Sequence, residues 1–254
     1  MDKRVLSTAT ISAAVFAALL TGCSSDEDTS QAAGASGTPS SSDTPATTSA
    51  AAAATPTGPP PTPGQVVLSD EMDDDRNGWG TGPGVTFEAG EYVVAMTPPA
   101  GLAGWPDALL ASPPKSVVVT ATVSAPEGSA LVGVTCNNVM DGQGGGEFYS
   151  LSIGSDVMLI SRTSSGDRTP DKGQILATTE TGVDLTTPHQ VQAACVPTSE
   201  TMELWLSVDG EPTLSAVDDD PLGEGPPGVQ LVGIGGNGAS FQARMTSYSV
   251  AEPA

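Results

Sequence analysis

The sequence predicts an all-β protein, a two-sheet jelly-roll sandwich, and three observations support this prediction. Short runs rich in β-branched and aromatic residues recur over residues 66–254, and Gly, Pro, Asp and Asn separate them. No run in this region combines a helical apolar period with suitable caps. The region is also long enough to bury one sizeable core. About a dozen short strands close naturally into a jelly roll, which leaves few exposed sheet edges.

The predicted strands alternate apolar with polar residues, as half-buried strands do. Gly154-Ser155 and Asp209-Gly210 follow predicted strands and have the composition of hairpin turns. The predicted strands are Glu91–Met96, Ser116–Ser124, Ala130–Cys136, Phe148–Ile153, Val157–Ser161, Gln190–Val196, Glu203–Val208, Gly228–Gly233 and Ser240–Val250.

The first residues have the pattern of an export signal. Lys3 and Arg4 precede an apolar run, Ile11–Leu20, that is too short to span a membrane as a stable helix. The next residues, Leu20–Cys23 (LTGC), resemble the lipobox of bacterial lipoproteins, in which the cysteine is diacylated and the chain is cleaved before it. We therefore expect residues 1–22 to be a lipoprotein signal peptide and Cys23 to be lipidated. The alternative is an ordinary free cysteine near a signal cleavage site.

Residues 23–65 are predicted to be a lipid-anchored, disordered linker. They are almost wholly Ser, Thr, Ala, Pro and Gly, so they cannot bury enough apolar surface to offset the entropy of an ordered chain. Two acyl chains anchor a protein stably where one is marginal. The expected location is thus the cell membrane, with residues 66–254 as a β-sandwich domain held on the extracellular, cell-wall side.

The charge of the chain argues against nucleic acid as a partner. The sequence has 30 acidic and 8 basic residues, which gives a formal net charge of −22. Nucleic acids and anionic lipid surfaces both attract clustered Lys and Arg. Strong acidity instead keeps an exported protein dispersed.

The two remaining cysteines lie on different predicted strands. Cys136 shares a strand face with Val132 and Val134, and Cys195 shares one with Val191. Both thiols should therefore point into the core, and an exported protein meets oxidising conditions. We expect a Cys136–Cys195 disulfide, which would contribute about 4 kcal/mol in the chain-entropy model. The alternative is two separate buried thiols.

A resemblance to a known family follows from several motifs in order. Residues 70–79 (DEMDDDRNGW) resemble the opening motif of concanavalin A-like, laminin-G-type jelly rolls on actinobacterial surface proteins. Further segments along the domain follow the family's order. Met72 stands where the family usually has an aromatic residue, and residues 241–246 lack the usual Phe-Asp-Asn pattern. The resemblance implies the jelly-roll fold, whereas the second departure weakens any transfer of a calcium site shared between the termini. The further segments are residues 90–92, 132–136, 148–151, 194–195, 204–210 and 228–231.

Candidate catalytic groups are few, and we expect no catalytic residue. The chain has one histidine, His189, and no G-x-S-x-G nucleophile elbow. Glycosidases with this type of fold carry E-x-D-x-x-E on one strand, whereas residues 71–76 end in Arg76. We expect no metal or other cofactor. Calcium is the alternative, since Asp73–Asp75 and Asp218–Asp220 offer oxygen ligands without EF-hand spacing.

The predicted ligand-binding residues are Trp205, Phe148 and Glu203. Strand alternation places Trp205 with Glu203 on the face opposite the core, and Phe148 likewise with Ser150 and Ser152. Aromatic rings among polar groups suit a sugar-stacking surface. The alternative is that a loop covers this second face and makes Trp205 part of a minor core.

These observations favour a noncatalytic binding module on a cell-surface lipoprotein. Its expected ligand is a cell-wall glycan or an envelope protein. Two alternatives remain open: a structural envelope lipoprotein without a small ligand, and a glycoside-type hydrolase with the same fold.

Overall fold

A computed structural model describes residues 54–96, 101–104, 112–140, 146–163, 173–234 and 240–254. The predicted signal peptide, Cys23, the linker as far as residue 53 and Trp105 lie outside these ranges. Within the described ranges, no helix is long and apolar enough to cross a membrane.

The described residues form fourteen strands, and each of the nine predicted strands is among them. In chain order they are β1 (Pro63–Asp70), β2 (Val85–Glu88), β3 (Glu91–Met96), β4 (Gly101–Gly104), β5 (Val117–Glu127), β6 (Ala130–Met140), β7 (Gly146–Ile153), β8 (Val157–Thr163), β9 (Gln174–Glu180), β10 (His189–Pro197), β11 (Met202–Val208), β12 (Glu211–Asp218), β13 (Gly228–Gly233) and β14 (Phe241–Pro253).

The strands make two antiparallel sheets. The eight-stranded sheet has the order β12-β11-β10-β5-β14-β3-β2, and β1 also pairs with β14. The six-stranded sheet has the order β4-β13-β6-β7-β8-β9. The predicted all-β, two-sheet jelly-roll sandwich is confirmed.

The hydrophobic core lies between the inner faces of the two sheets. Tyr149, Leu151 and Ile153 of β7 face it from the six-stranded sheet, and Leu204 and Leu206 of β11 face it from the eight-stranded sheet. Their alternation with outward residues is the period of two that the sequence predicted.

The predicted disulfide is present and joins the two sheets through the core. Cys136 lies in β6 and Cys195 in β10, with their Cα atoms 6.5 Å apart and a sequence separation of 59. The alternative of two separate thiols is wrong. Both cysteines are fully buried, as their strand faces predicted.

The ordered domain begins before the predicted boundary at residue 66. Strand β1 starts at Pro63, and the residues that precede it are bonded to the domain. The Val217 amide donates to the Ala54 carbonyl at 2.9 Å, and the Ala254 amide donates to the Thr62 carbonyl at 2.9 Å. The last twelve residues of the predicted linker, 54–65, are therefore described as part of the domain.

The motif at residues 70–79 is a closed loop held by one carboxylate. Asp70 accepts hydrogen bonds from the Trp79 indole at 2.8 Å, from the Asn77 amide at 2.5 Å and from the Met72 backbone at 2.9 Å. The Trp79 ring packs edge-on against Tyr248 with centroids 5.0 Å apart. These contacts give the motif a structural role at the edge of the core.

Candidate functional site

The outer face of the six-stranded sheet carries a cluster of polar side chains that we call the polar face. The strands β6, β7, β8 and β13 contribute these side chains, and all of them are buried. The polar face consists of Thr135, Asn138, Ser150, Ser152, Ser161, Thr163 and Gln230.

Strand register brings these residues together. Ser150 of β7 lies opposite Thr135 of β6 on one side and Ser161 of β8 on the other. Because successive side chains of a strand point to opposite faces, all three point away from the core residues Tyr149 and Leu151. The polar groups therefore form one continuous row across three strands.

Gly133 makes room for a side-chain network at the centre of the polar face. It lies between Gln230 of β13 and Ser152 of β7, and a Cβ atom there would come within 2.9 Å of the Ser152 hydroxyl. Without that atom, the Gln230 side chain reaches across to accept a hydrogen bond from Ser150. Ser150 and Ser152 are also bonded to each other at 2.7 Å.

Four buried polar atoms at this face have no hydrogen-bond partner: Gln230 Nε2, Ser161 Oγ, Thr163 Oγ1 and Asn138 Oδ1. Asn138 is linked to the face through its bond to Thr135 at 3.0 Å. Buried polar atoms are nearly always paired, because an unpaired one costs roughly 1–3 kcal/mol. Over the described part of the chain, the other unpaired buried side-chain atom is the Tyr248 hydroxyl in the core.

Apolar side chains flank the polar groups. Phe148 lies opposite Thr163 and is 4% exposed, yet it does not belong to the main core cluster. Three further apolar residues are likewise buried but do not belong to the main core cluster: Leu131, Leu159 and Val232. The side chains that β6, β7, β8 and β13 present on this face are all uncharged, so the face combines an aromatic ring with neutral hydrogen-bonding groups.

Trp205 and Glu203 lie on the other side of the sandwich, on the outer face of the eight-stranded sheet. The expectation that Trp205 and Phe148 form one platform fails, because the core separates their two faces. Trp205 is also 6% exposed rather than open to solvent, and Glu203 beside it is half-buried.

Trp205 forms a small cluster with other apolar residues of the outer face. Its partners are Val118, Ala194 and the partly buried Val196. A pocket of about 400 Å³ beside the ring is lined by Thr55, Gly58 and Pro60 together with residues of β12. The alternative weighed for Trp205, a minor core under a covering segment, is therefore the arrangement in the structure.

Each of the two acidic runs has an arginine paired with two of its three carboxylates. Arg76 bonds to both carboxylate oxygens of Asp74 at 2.7 Å, and this hydrogen bond lowers the pKa of Asp74 to about 2. The Arg162 guanidinium lies 3.6 Å from Asp218 and 3.2 Å from Asp220. Among the described residues, no group of three acidic, histidine or cysteine side chains is arranged to hold a metal ion.

The surroundings of His189 do not suit a general base. Its Nδ1 is 2.8 Å from the Asp209 carboxylate, and its Nε2 is 3.0 Å from the Asp184 carbonyl. Burial opposes protonation, but the hydrogen bonds to these two acceptors outweigh it and raise the pKa of His189. Both ring nitrogens thus face acceptors, and the nearby Thr187 hydroxyl, 3.4 Å from Nε2, already donates to the Asp184 carbonyl at 3.1 Å.

No protein-family model matches the chain, and no curated protein matches it either.

Comparison of structures finds several partial likenesses at low identity. The β-glucanase of Bacillus licheniformis aligns with a TM-score of 0.49 and 11% identity, over 74% of this chain and 99% of that one. An endo-β-galactosidase from Clostridium perfringens aligns at 0.48 and 14%, over 78% and 65% of the two chains. A carbohydrate-binding module from Bacillus subtilis aligns at 0.38 and 10%, over 68% and 91%. No activity is transferred from these proteins to this chain.

Proposed function

We propose that this protein is a noncatalytic glycan-binding module of the cell envelope and that the polar face is its binding site. One observation carries the proposal: four buried polar atoms without partners gather at one face of one sheet. A ligand rich in hydroxyl groups would supply the missing hydrogen bonds. The unpaired amide and hydroxyl groups include both donors and acceptors, as a sugar hydroxyl requires.

The neutral character of the face favours a neutral carbohydrate over a charged ligand. A phosphate or an acidic sugar would need a cation, and the four strands that form the face present hydroxyl, amide and apolar groups there. Phe148 supplies a flat apolar ring beside Thr163, as a sugar ring requires on its less polar side. A protein partner is the other ligand that the sequence allows.

Access to the face is part of this proposal. Ser150, Ser152, Ser161, Thr163 and Gln230 are all fully buried. Binding must therefore expose them. A Ser161→Cys variant measures this exposure: a thiol reagent should label it slowly in the free protein, and a bound oligosaccharide should block the labelling.

The cell-surface location is proposed from the sequence. The lipobox-like residues 20–23 predict a lipid-modified Cys23 at the membrane, and the Ser/Thr/Ala/Pro segment after it is expected to separate the anchor from the domain. The test is Cys23→Ala, which should remain unprocessed or leave the membrane fraction.

The binding test uses hydroxyls whose loss should not harm the fold. Removal of an unpaired buried hydroxyl should leave stability equal or slightly higher, whereas removal of a ligand contact should weaken binding. We expect Thr163→Val and Ser161→Ala each to bind a responsive neutral oligosaccharide about tenfold more weakly, as one lost hydrogen bond implies. Binding to an array of neutral β-glucans, galactans, mannans and fructans is the measurement.

The matched control is Ser247→Ala. Ser247 lies in β14 of the eight-stranded sheet, and its hydroxyl donates to Thr122 at 2.9 Å. Its variant should bind glycans like the wild type. Equal binding by wild type, Thr163→Val and Ser161→Ala would contradict the assignment of the polar face. Release of reducing sugar during the incubation would instead indicate a hydrolase.

A further inference from the structure

Residues 54–62 form a segment, which we call the strap, that is fixed at both ends. At its start, the Ala54 carbonyl accepts from Val217 of the edge strand β12. At its end, the Thr62 carbonyl accepts from Ala254, just after β14. The eight-stranded sheet has β11, β10 and β5 between those two strands. The strap therefore crosses the outer face of the sheet.

The length of the strap agrees with such a crossing. Four strand spacings separate β12 from β14, or about 19 Å at the usual distance between neighbours. Eight residue steps in polyproline II conformation span about 25 Å. The strap sequence, ATPTGPPPT, contains four prolines and no charged residue, and prolines favour this extended conformation.

The sheet under the strap presents a row of apolar residues. Trp205 of β11 lies opposite Ala194 of β10, which lies opposite Val118 of β5, which in turn lies opposite Ala251 of β14. A large ring beside small side chains makes a groove that runs across the strands. Thr55, Gly58 and Pro60 of the strap line the pocket beside the Trp205 ring.

We propose that this groove is a binding site for uncharged, proline-rich segments and that the chain's own strap occupies it. Extended proline-rich segments dock on aromatic grooves because their conformation is already fixed and little entropy is lost. The strap is a proline-rich segment that the structure shows beside the Trp205 ring. A segment of the same chemistry from another chain would compete for the groove only when the strap is released. This site lies on the opposite side of the sandwich from the polar face and is independent of it.

The experiment uses the full chain in three forms. In the variant Pro59→Gly/Pro60→Gly/Pro61→Gly, the strap loses its fixed conformation while the sheet is unchanged. We expect the Val217 amide, whose partner is Ala54, to exchange its hydrogen about tenfold faster or more than in the wild type. The probe is a synthetic peptide with the sequence of residues 54–64, followed by the Trp205 indole signal in NMR.

The peptide should bind the triple-glycine variant and slow the exchange of Val217 again. Wild type should bind it at least about tenfold more weakly, because the strap competes at high effective concentration. Adding Trp205→Ala to the triple-glycine variant should abolish binding, as followed by the Val217 amide. A scrambled peptide with its prolines replaced by serine should not bind.

Two results would overturn the proposal. One is a Val217 amide that stays protected in the triple-glycine variant, because the strap would then not depend on its prolines. The other is no peptide binding by a variant whose strap is shown to be released. Neither readout involves a glycan, so the outcome is separate from that of the polar-face experiment.

Discussion

The two outer faces of the sandwich each bury an aromatic ring, but they differ in how their polar groups are paired. On the eight-stranded sheet, Trp205 lies in an apolar groove under the strap, and the strap ends are hydrogen-bonded. On the six-stranded sheet, Phe148 lies beside hydroxyl and amide groups, four of whose atoms have no partner. Burial alone does not distinguish these faces, since Trp205 is 6% and Phe148 4% exposed.

The two faces therefore differ in hydrogen-bond pairing, and the face with unpaired polar atoms is the one on which a ligand would gain hydrogen bonds. The apolar row around Trp205 is covered by the chain's own strap and, among the described residues, has no unpaired buried side-chain polar atom for a ligand to satisfy. A face with unpaired polar atoms carries a free-energy cost that a ligand can remove.

The largest effect on stability should come from removal of the disulfide that joins the two sheets. The double variant Cys136→Ala/Cys195→Ala removes a bridge between two residues with a sequence separation of 59. We expect a loss of about 4 kcal/mol in the free energy of unfolding, from the larger entropy of the unfolded chain. Urea unfolding with and without reductant measures it. A variant as stable as the oxidised wild type would contradict this account.

Trp205→Ala should cause the next largest loss of stability. A buried aromatic ring that is cut to alanine costs roughly 3–5 kcal/mol, and the lower end is expected here because the Trp205 cluster is small. Glu203→Ala, on the same face of the same strand but only half-buried, is the control and should change stability by less than about 0.5 kcal/mol. Thermal unfolding measures both. Equal melting temperatures for the two variants would show that the Trp205 ring does not stabilise the fold, and would favour its prediction as an exposed ligand contact.

Gly133→Ala tests whether the polar face depends on the space that this glycine leaves for the Gln230 side chain. A Cβ atom at this position would lie 2.2 Å from the Leu151 carbonyl oxygen and 2.7 Å from the Ser152 Cα atom, so the backbone of β7 must shift. We expect a cost of roughly 1–3 kcal/mol and a loss of glycan binding. Gly82→Ala is the control, because a Cβ atom there meets nothing within 4 Å. Unchanged stability and binding in Gly133→Ala would show that the Gln230 network is not needed.

The smallest effect concerns pH. Burial opposes protonation of His189, but its hydrogen bonds to Asp209 and Asp184 outweigh burial and raise the pKa of His189 above its ordinary value. Its contribution to stability is thus fully present below the unfolded pKa and is lost as pH rises through the folded pKa. The urea midpoint of the wild type should fall between about pH 5.5 and pH 8.5, and that of His189→Gln should fall less. Glycan binding should stay level over this range, since the four strands of the polar face present uncharged groups there.

The sequence predicted the strands that alternate clearly and missed several at the edges. Strands β9 and β12 end the two sheets, and most residues of β9 are exposed. Strand β12 carries Pro212 and exposed residues in its first half. Edge strands have no second neighbour to bury them, so their sequences lack the pattern that marks a central strand.

The candidate site was only partly accessible to sequence reasoning. Period-two alternation correctly placed Phe148, Ser150 and Ser152 on the face opposite the core. It could not predict that this face is buried, because burial there depends on contacts remote in sequence. The serine and threonine residues at outward positions of β7 and β8 were the available signal. The sequence left open whether Trp205 is exposed or covered for a similar reason, since the proline-rich strap that covers it has the composition of a disordered linker.

Strand β14 has a consequence for the order of events during synthesis. It pairs with β5 on one side and with β3 and β1 on the other, so it lies inside the eight-stranded sheet although it comes last among the strands. A nascent chain that has not yet released β14 has no partner for β1 and no neighbour between β3 and β5. The eight-stranded sheet therefore closes only after β14 has been made, and its closure depends on pairing between strands that lie far apart in sequence.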